Sequence, residues 1–222
     1  MSISDSVDDY LKALYQLAGQ DGWVGTSQIA ERLGITSSSV TAMLQRLGEG
    51  ESPHVEYRKG RGARLTAEGR TRALEMVRHH RLIELYLHQE LGYSLDEVHA
   101  EAETLEHAIS ETFEDRLAAK MGHPTIDPHG HPIPSKDGQI QEISGRSLLD
   151  LEIGETATVA SVSDRDPAIL RYLCAQNVAP GARLTVSDKA PFEGPVTVML
   201  EGQAKPLALG RNVASHVLCS TS

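Results

Sequence analysis

Near Leu148 the hydrophobic spacing of this chain changes period, and that change limits the fold more than any other feature. Upstream, apolar residues recur every three to four positions, as in Val7, Tyr10, Leu11, Leu14, Tyr15 and Leu17, the spacing of one helix face. Downstream, "ETATVASVS", "ARLTVSD", "PVTVMLEG", "KPLAL" and "VASHVLC" alternate like half-buried strands, with glycines between them. A helical period will not settle as a strand, nor an alternating one as a helix. The chain therefore needs a helical body and a separate β-rich end, which the short strands suggest is a small β-barrel. One helix interrupts them, "PAILRYLCAQNV", with Asp166 as its cap and Pro167 at its first position. The stretch "GHPTIDPHGHPIPSKDG" before them holds four prolines and three glycines, too many for a helix or strand interior, and reads as an ordered linker. The fold class expected is mainly α with α+β parts.

The first 72 residues have their own pattern. The helix over Val7 to Leu17 is followed by "TSQIAERLG", with Thr26 or Ser27 available as N-cap, and by "ITSSSVTAMLQRLGEG", which Thr36 or Ser37 can cap and Gly48 can end. Helix, tight turn at Gly34, then helix is the helix-turn-helix layout. Next, "HVEYR" and "ARLT" flank "KGRG", a basic hairpin. A basic hairpin just after a recognition helix is the wing of a winged helix-turn-helix. The helix would set Thr36, Ser37, Ser38, Ser39, Thr41 and Ala42 against base edges. The wing residues Arg58, Lys59, Arg61 and Arg64 would contribute phosphate contacts and salt dependence. With no Arg or Asn in the helix window, readout leans on DNA shape. Thr66 then caps a long helix from Ala67 to Glu90, and "SLDE", a capping box at Ser94, opens another expected to run to about Met121.

Net charge is -10, which taken alone argues against nucleic acid, but the charge is segregated. Arg58 to Arg81 holds eight Lys/Arg against Glu68 and Glu75; Leu82 to Asp115 holds ten Asp/Glu and no Lys/Arg. That asymmetry points to two different partners. Apolar residues make up 40% and aromatics 4%, so the cores are aliphatic. No run approaches a membrane span, and "MSISDSVDDYLK" lacks the layout of a signal peptide, so a cytoplasmic protein without a membrane partner is expected. Cys174 and Cys219 form no CxxC and read as free thiols in a reducing compartment.

The acidic block contains "VHAEAETLEH". His99, Glu103, Glu106 and His107 fall at i, i+4, i+7 and i+8, one helix face. One helix back, His80, Glu84 and His88 also share a face. Two antiparallel helices joined at residues 91–94 can bring these faces together. The carboxylates would then lie side by side without nearby cations, a costly arrangement unless a metal compensates it. A dinuclear hydrolase or oxidase is the enzymatic alternative. The spacing is Glu-x-x-x-His rather than the Glu-x-x-His of di-iron bundles, and HExxH, GxSxG and phosphate-cradling glycine loops are absent, so no enzyme is expected.

In "IAERLGITSSSVTAMLQRL", "HRLIELYL", "VHAEAETLEH" and "DPHGHPIP" the sequence resembles the diphtheria-toxin-repressor and manganese-transport-repressor (DtxR/MntR) family. The resemblance implies a homodimer that represses transcription at a palindromic operator in double-stranded DNA when a divalent metal is bound, controlling metal-uptake genes. It implies three domains: a winged helix-turn-helix over 1–72, a helical metal-binding and dimerisation domain over 73–140, and an SH3-like, FeoA-like domain over 148–222. It assigns His80, Glu84 and His99 to one metal site, and Asp9, Glu103, Glu106 and His107 to another. The C-terminal domain is implied to add a polar ligand to the first site, Asp164 or Asp166, with Asp166 preferred. In the iron-responsive branch a Met stands at the Asp9 position and a Cys at the Glu103 position. Carboxylates at both favour Mn2+ over Fe2+ or another divalent transition metal. Lys12 stands where small manganese regulators carry a second acid, and those regulators lack the C-terminal barrel. His123, His129 and His131 are further candidates in the linker. The alternatives are an iron-responsive repressor of the same family and a metal-independent winged-helix regulator.

Overall fold

Leucines and tyrosines one turn apart make α1 (Ile3–Leu17) an amphipathic helix, and its apolar face seeds the first core. The computed structural model describes residues 3–18, 22–141 and 144–220. Two compact units emerge: Met1–His79 with Pro134–Gln139, and His80–Ile133 with Ile140–Ser222.

In the first unit, α2 (Thr26–Leu33) and α3 (Ser37–Leu47) follow α1, then the antiparallel pair β1 (Val55–Arg58) and β2 (Gly62–Leu65), then α4 (Ala67–Leu91), whose C-terminal half belongs to the second unit. Tyr10, Leu11, Leu14, Ile29, Val40, Leu44, Val55 and Ala63 form the core. Thr36 caps α3 by accepting from the Ser39 amide at 3.2 Å. The cap of α2 is Gly25, not Thr26 or Ser27: the Gly25 amide donates to the Gln28 side chain at 3.0 Å. Thr66 accepts from the Gly69 amide at the start of α4, as expected. Val24 extends the hairpin by pairing with Ala63 on both sides (2.8 and 2.9 Å). That pairing requires glycine at 62, where a Cβ would lie 1.9 Å from the Val24 carbonyl oxygen.

In the second unit, α5 (Val98–Leu105) and α6 (Glu111–Lys120) pack Val98, Ala102, Leu117 and Ala118 against Leu82, Ile83, Leu85 and Leu87 of α4. The single helix expected from Ser94 to Met121 is thus two. The Ser94 amide donates to Glu97 Oε2 at 3.0 Å, one half of the capping box, but the helix starts at Val98 and stops after Leu105. Ser110 starts the next one by accepting from the Phe113 amide. No Gly or Pro marks this break in the sequence.

The remaining strands are β3 (Arg146–Ser147), β4 (Thr156–Val162), β5 (Arg183–Lys189), β6 (Val196–Leu200), β7 (Leu207–Leu209) and β8 (Val217–Ser220). They form one antiparallel sheet in the order β3-β8-β4-β5-β6-β7. A one-turn 3-10 helix (Leu148–Asp150), α7 (Pro167–Ala175) and α8 (Arg211–Ala214) accompany it. The start of "VASHVLC", expected as strand, falls in α8. Alternate residues such as Val159, Leu184, Val186, Val198 and Leu200 fill the core beneath Leu170 and Leu173 of α7.

Candidate metal centre

Helical spacing places His80 and Glu84 one turn apart on α4, and α5 brings His99 opposite. His80 Nε2 lies 2.9 Å from Glu84 Oε1 and 3.0 Å from His99 Nδ1; His99 Nδ1 is 3.2 Å from the same carboxylate oxygen. The other ring nitrogen of His80 faces the opposite way. Its Nδ1 is 2.5 Å from Glu106 Oε2 and 3.6 Å from Glu103 Oε2. His107 Nε2 is 3.6 Å from Glu106 Oε1. One imidazole therefore stands between two acid–histidine groups that the resemblance had separated. Because α5 ends at Leu105, Glu106 and His107 occupy a turn rather than the i+7 and i+8 positions of a continuous helix, yet Glu106 still reaches His80. His88, expected on the same face, instead donates from Nδ1 to the Tyr93 carbonyl and leaves the group.

The proline-rich linker supplies His129, one of the three linker histidines named as candidates but assigned to neither site. Asp127 Oδ1 accepts from the His129 and His131 amides, both at 2.8 Å, which closes a tight loop. Gly130 lets that loop lie against β4, since a Cβ there would be 2.1 Å from the Ala160 carbonyl oxygen. His129 is fully buried, and its Nε2 donates to the Leu95 carbonyl at 2.8 Å. That fixes the other nitrogen toward Glu84: Nδ1 is 3.6 Å from Glu84 Oε2, beyond hydrogen-bond length. Both of these buried atoms lack a hydrogen-bond partner. Asp164, just past β4, completes the group with Oδ2 3.8 Å from His99 Nδ1. Asp166 is elsewhere: its Oδ1 accepts from the Ala168 and Ile169 amides and caps α7. The geometry thus favours Asp164 where Asp166 had been preferred. Asp127 Oδ2 lies 3.5 Å from Arg81 Nε, so it organises the loop more than it offers a free carboxylate.

Charge in this group is out of balance. Burial by itself would raise the Glu84 carboxyl, but the charge on His80 and the approach of His129, His80 and His99 hold it well below the usual range. Burial also pushes Asp164 up, and His131, His129 and His99 outweigh it against the opposition of Glu84, so that it too is lowered. Burial disfavours the charged form of His129, but Glu84, Asp127 and the Leu95 carbonyl raise it to about 9. The carboxylates are ionised in a dry place that calls for a cation, either protons on the imidazoles or a metal. Imidazole nitrogen and carboxylate oxygen are the donors. The two thiols lie outside it, Cys219 in the sheet core and Cys174 on α7, so the donor set fits a hard or borderline divalent ion.

Asp9 lies on α1 in the first unit. On α3 of that unit Ser37, Ser38, Ser39 and Ala42 are exposed, while Thr36 and Thr41 spend hydroxyl contacts locally, Thr41 on the Ser37 carbonyl. Gln45, one turn beyond Thr41 and Ala42, is exposed on the same helix. Arg58, Lys59, Arg61 and Arg64 are exposed on the hairpin.

Residues 2–63 match the model of the iron dependent repressor N-terminal DNA binding domain. Residues 66–135 match that of the iron dependent repressor metal binding and dimerisation domain, and 146–221 that of the FeoA domain. The chain is 30% identical over 210 residues to the iron-dependent repressor IdeR of Mycobacterium bovis, covering 89% of this chain and 90% of that one. Its 34% identity to IdeR of Mycobacterium leprae spans 160 residues, 71% of this chain and 62% of that protein. It is 36% identical over 112 residues to the HTH-type transcriptional regulator MntR of Geobacillus kaustophilus, covering 50% of this chain and 77% of that one. A solved manganese-dependent transcriptional repressor in complex with manganese superposes with a TM-score of 0.88 at 39% identity, over 97% of this chain and 100% of that one.

Proposed function

The chain belongs to the DtxR/MntR family of metal-dependent transcriptional repressors, and from that premise we propose that it binds a palindromic operator as a homodimer with Mn2+ as corepressor. The observation that carries the reading is the buried pair Glu84 Oε2 and His129 Nδ1, 3.6 Å apart without hydrogen bonds, inside a set of imidazoles and carboxylates. Such a pair calls for positive charge, supplied by a proton on His129 or by a metal ion that replaces it. We assign Glu84, His99, His129 and Asp164 to one ion, and His80, Glu103, Glu106 and His107 to a second. Asp9 joins the second set on the family resemblance. A bound divalent ion supplies the positive charge that these carboxylates otherwise lack.

Residues 1–72 read DNA, 73–140 bind metal and dimerise, and 148–222 contribute Asp164. In the reading domain, Ser37, Ser38, Ser39 and Ala42 face bases while Arg58, Lys59, Arg61 and Arg64 hold phosphates. Thr36 and Thr41 keep the helix start in shape. As a ligand, Asp9 makes the placement of the reading helices depend on occupancy, so two recognition helices meet major grooves about 34 Å apart only in the loaded dimer. A hundredfold preference of the ion for that state corresponds to about 2.7 kcal/mol of coupling. The regulated genes are those of metal uptake, and the protein works in the cytoplasm. Among the described residues no helix is long and apolar enough to cross a membrane.

Nitrogen and carboxylate donors without a thiolate support Mn2+; the IdeR relatives keep Fe2+ as the second reading. Parallel anaerobic titrations of Mn2+ and Fe2+ against binding to a selected palindromic duplex test the choice. Restoration by Fe2+ at lower free concentration than Mn2+ would reverse it.

A further inference from the structure

Trp23 is the single tryptophan of the chain, and it carries three guanidiniums. The Cζ atoms of Arg58, Arg61 and Arg64 lie 5.1, 4.4 and 5.1 Å from its ring centroid. The backbone explains how. Val24 pairs with Ala63, and Gly62 allows that close approach, so the residue before Val24 is held at the wing. Glu56 and Arg64 pair across the hairpin, and Arg58 lies two residues along from Glu56 on the same strand face.

Three cations around one ring repel one another. The indole quadrupole offsets part of that cost, and an anion offsets more. The anion present is Glu56. Its Oε1 is 2.5 Å from Arg58 Nη2, and its Oε2 is 2.5 Å from Arg64 Nη2 and 2.6 Å from Arg64 Nε. Two arginines thus converge on one two-oxygen anion at an exposed hairpin beside the recognition helix. A phosphodiester presents the same pair of oxygens with the same charge, and arginine forks suit both.

We propose that Trp23 is a positioning residue that gathers Arg58, Arg61 and Arg64 into one grip for a DNA backbone phosphate, and that Glu56 is the resident competitor which the phosphate displaces. The inference rests on the DNA-binding reading above and deepens it. Trp23 sets the geometry of the grip. Glu56 weakens the wing on random DNA, so tight binding requires the recognition helix to be seated as well.

The test uses the full-length Mn2+-loaded protein and a random-sequence duplex, followed by fluorescence anisotropy across a KCl series. Trp23→Ala is expected to cost about tenfold in affinity and to reduce the salt slope by about 1, the loss of one ordered phosphate contact. Trp23→Phe, which keeps an aromatic face, restores most of the slope. Glu56→Gln tightens binding by about fivefold, and that gain disappears when Arg58 and Arg64 are both changed to Gln. The emission of Trp23 in the unaltered protein shifts on saturation with duplex, because a phosphate replaces the Glu56 carboxylate beside the arginines that the ring holds. If the unaltered protein binds no duplex, the DNA-binding reading itself fails. If it binds, but a folded Trp23→Ala keeps the same slope, the positioning role is wrong while that reading stands. A Glu56→Gln gain that survives loss of both arginines overturns the competitor role. Should Trp23→Ala fail to fold, Trp23→Phe, the Glu56→Gln cycle and the emission shift decide.

Discussion

In the metal-free protein His129 stores a proton that a bound ion must replace. Its pKa, raised to about 9 by Glu84, Asp127 and the Leu95 carbonyl against the effect of burial, sits above the ordinary histidine value of 6.5. Each pKa unit is worth 1.36 kcal/mol, so the gap amounts to about 3 kcal/mol. The folded-state pKa is the higher one. The stabilisation is therefore complete below about pH 6.5 and is lost as pH rises through about 9. Urea denaturation in EDTA at intervals from pH 6 to 9.5 should show stability falling by roughly that amount. Metal affinity should move the other way. If binding expels one proton from His129, the apparent association constant rises about tenfold per pH unit until about pH 9 and then flattens. Calorimetry in buffers of different ionisation enthalpy should count about one proton released per first-site ion near pH 7.5. In His129→Gln both pH dependences should disappear. Stability that is flat across this window, or an equal slope in His129→Gln, would refute the reasoning.

Other substitutions separate the remaining claims. Asp164→Ala should weaken first-site Mn2+ binding by at least about tenfold, while Asp166→Ala should leave it unchanged and cost about 1 kcal/mol through loss of the α7 cap; calorimetric titration and thermal melts read the two effects. Glu103→Cys supplies a soft donor and should shift activation of operator binding away from Mn2+ toward Fe2+ or Co2+ by about tenfold in relative affinity, measured by anaerobic competition. Gly62→Ala drives a Cβ into the Val24 carbonyl at φ 105° and should destabilise the first unit by about 3 kcal/mol, seen in the shift of the urea midpoint.

The elements with regular periods were legible in the sequence. Leu11 and Leu14, Val40 and Leu44, and the alternating Val196, Val198 and Leu200 all point to the core as their spacing requires. The winged layout followed from the caps and the glycine-rich hairpin. The split between α5 and α6 was hidden because no Gly or Pro marks it; a serine hydroxyl at Ser110 sets the second start, and such caps are common inside helices too. The faces of His80, Glu84 and His99 were readable as helix geometry. His129 and Asp164 were not, because their approach depends on a folded linker and on β4, far along the chain from α4 and α5. The available signal was Asp127 two residues before His129, with Gly130 following: an Asx-type turn in a stretch too rich in proline to be helix. Asp166 caps α7 in the structure, and an N-cap aspartate and a ligand aspartate look alike in sequence.

The central claim is that operator binding requires the filled His/Glu centre. The most direct test is a titration of Mn2+ into the EDTA-stripped protein with a palindromic operator duplex at near-physiological salt, followed by anisotropy. Weak binding is expected without metal, with a gain of at least about a hundredfold on filling the sites and loss of that gain in Glu106→Ala. Equal affinity with EDTA and with Mn2+ would contradict it.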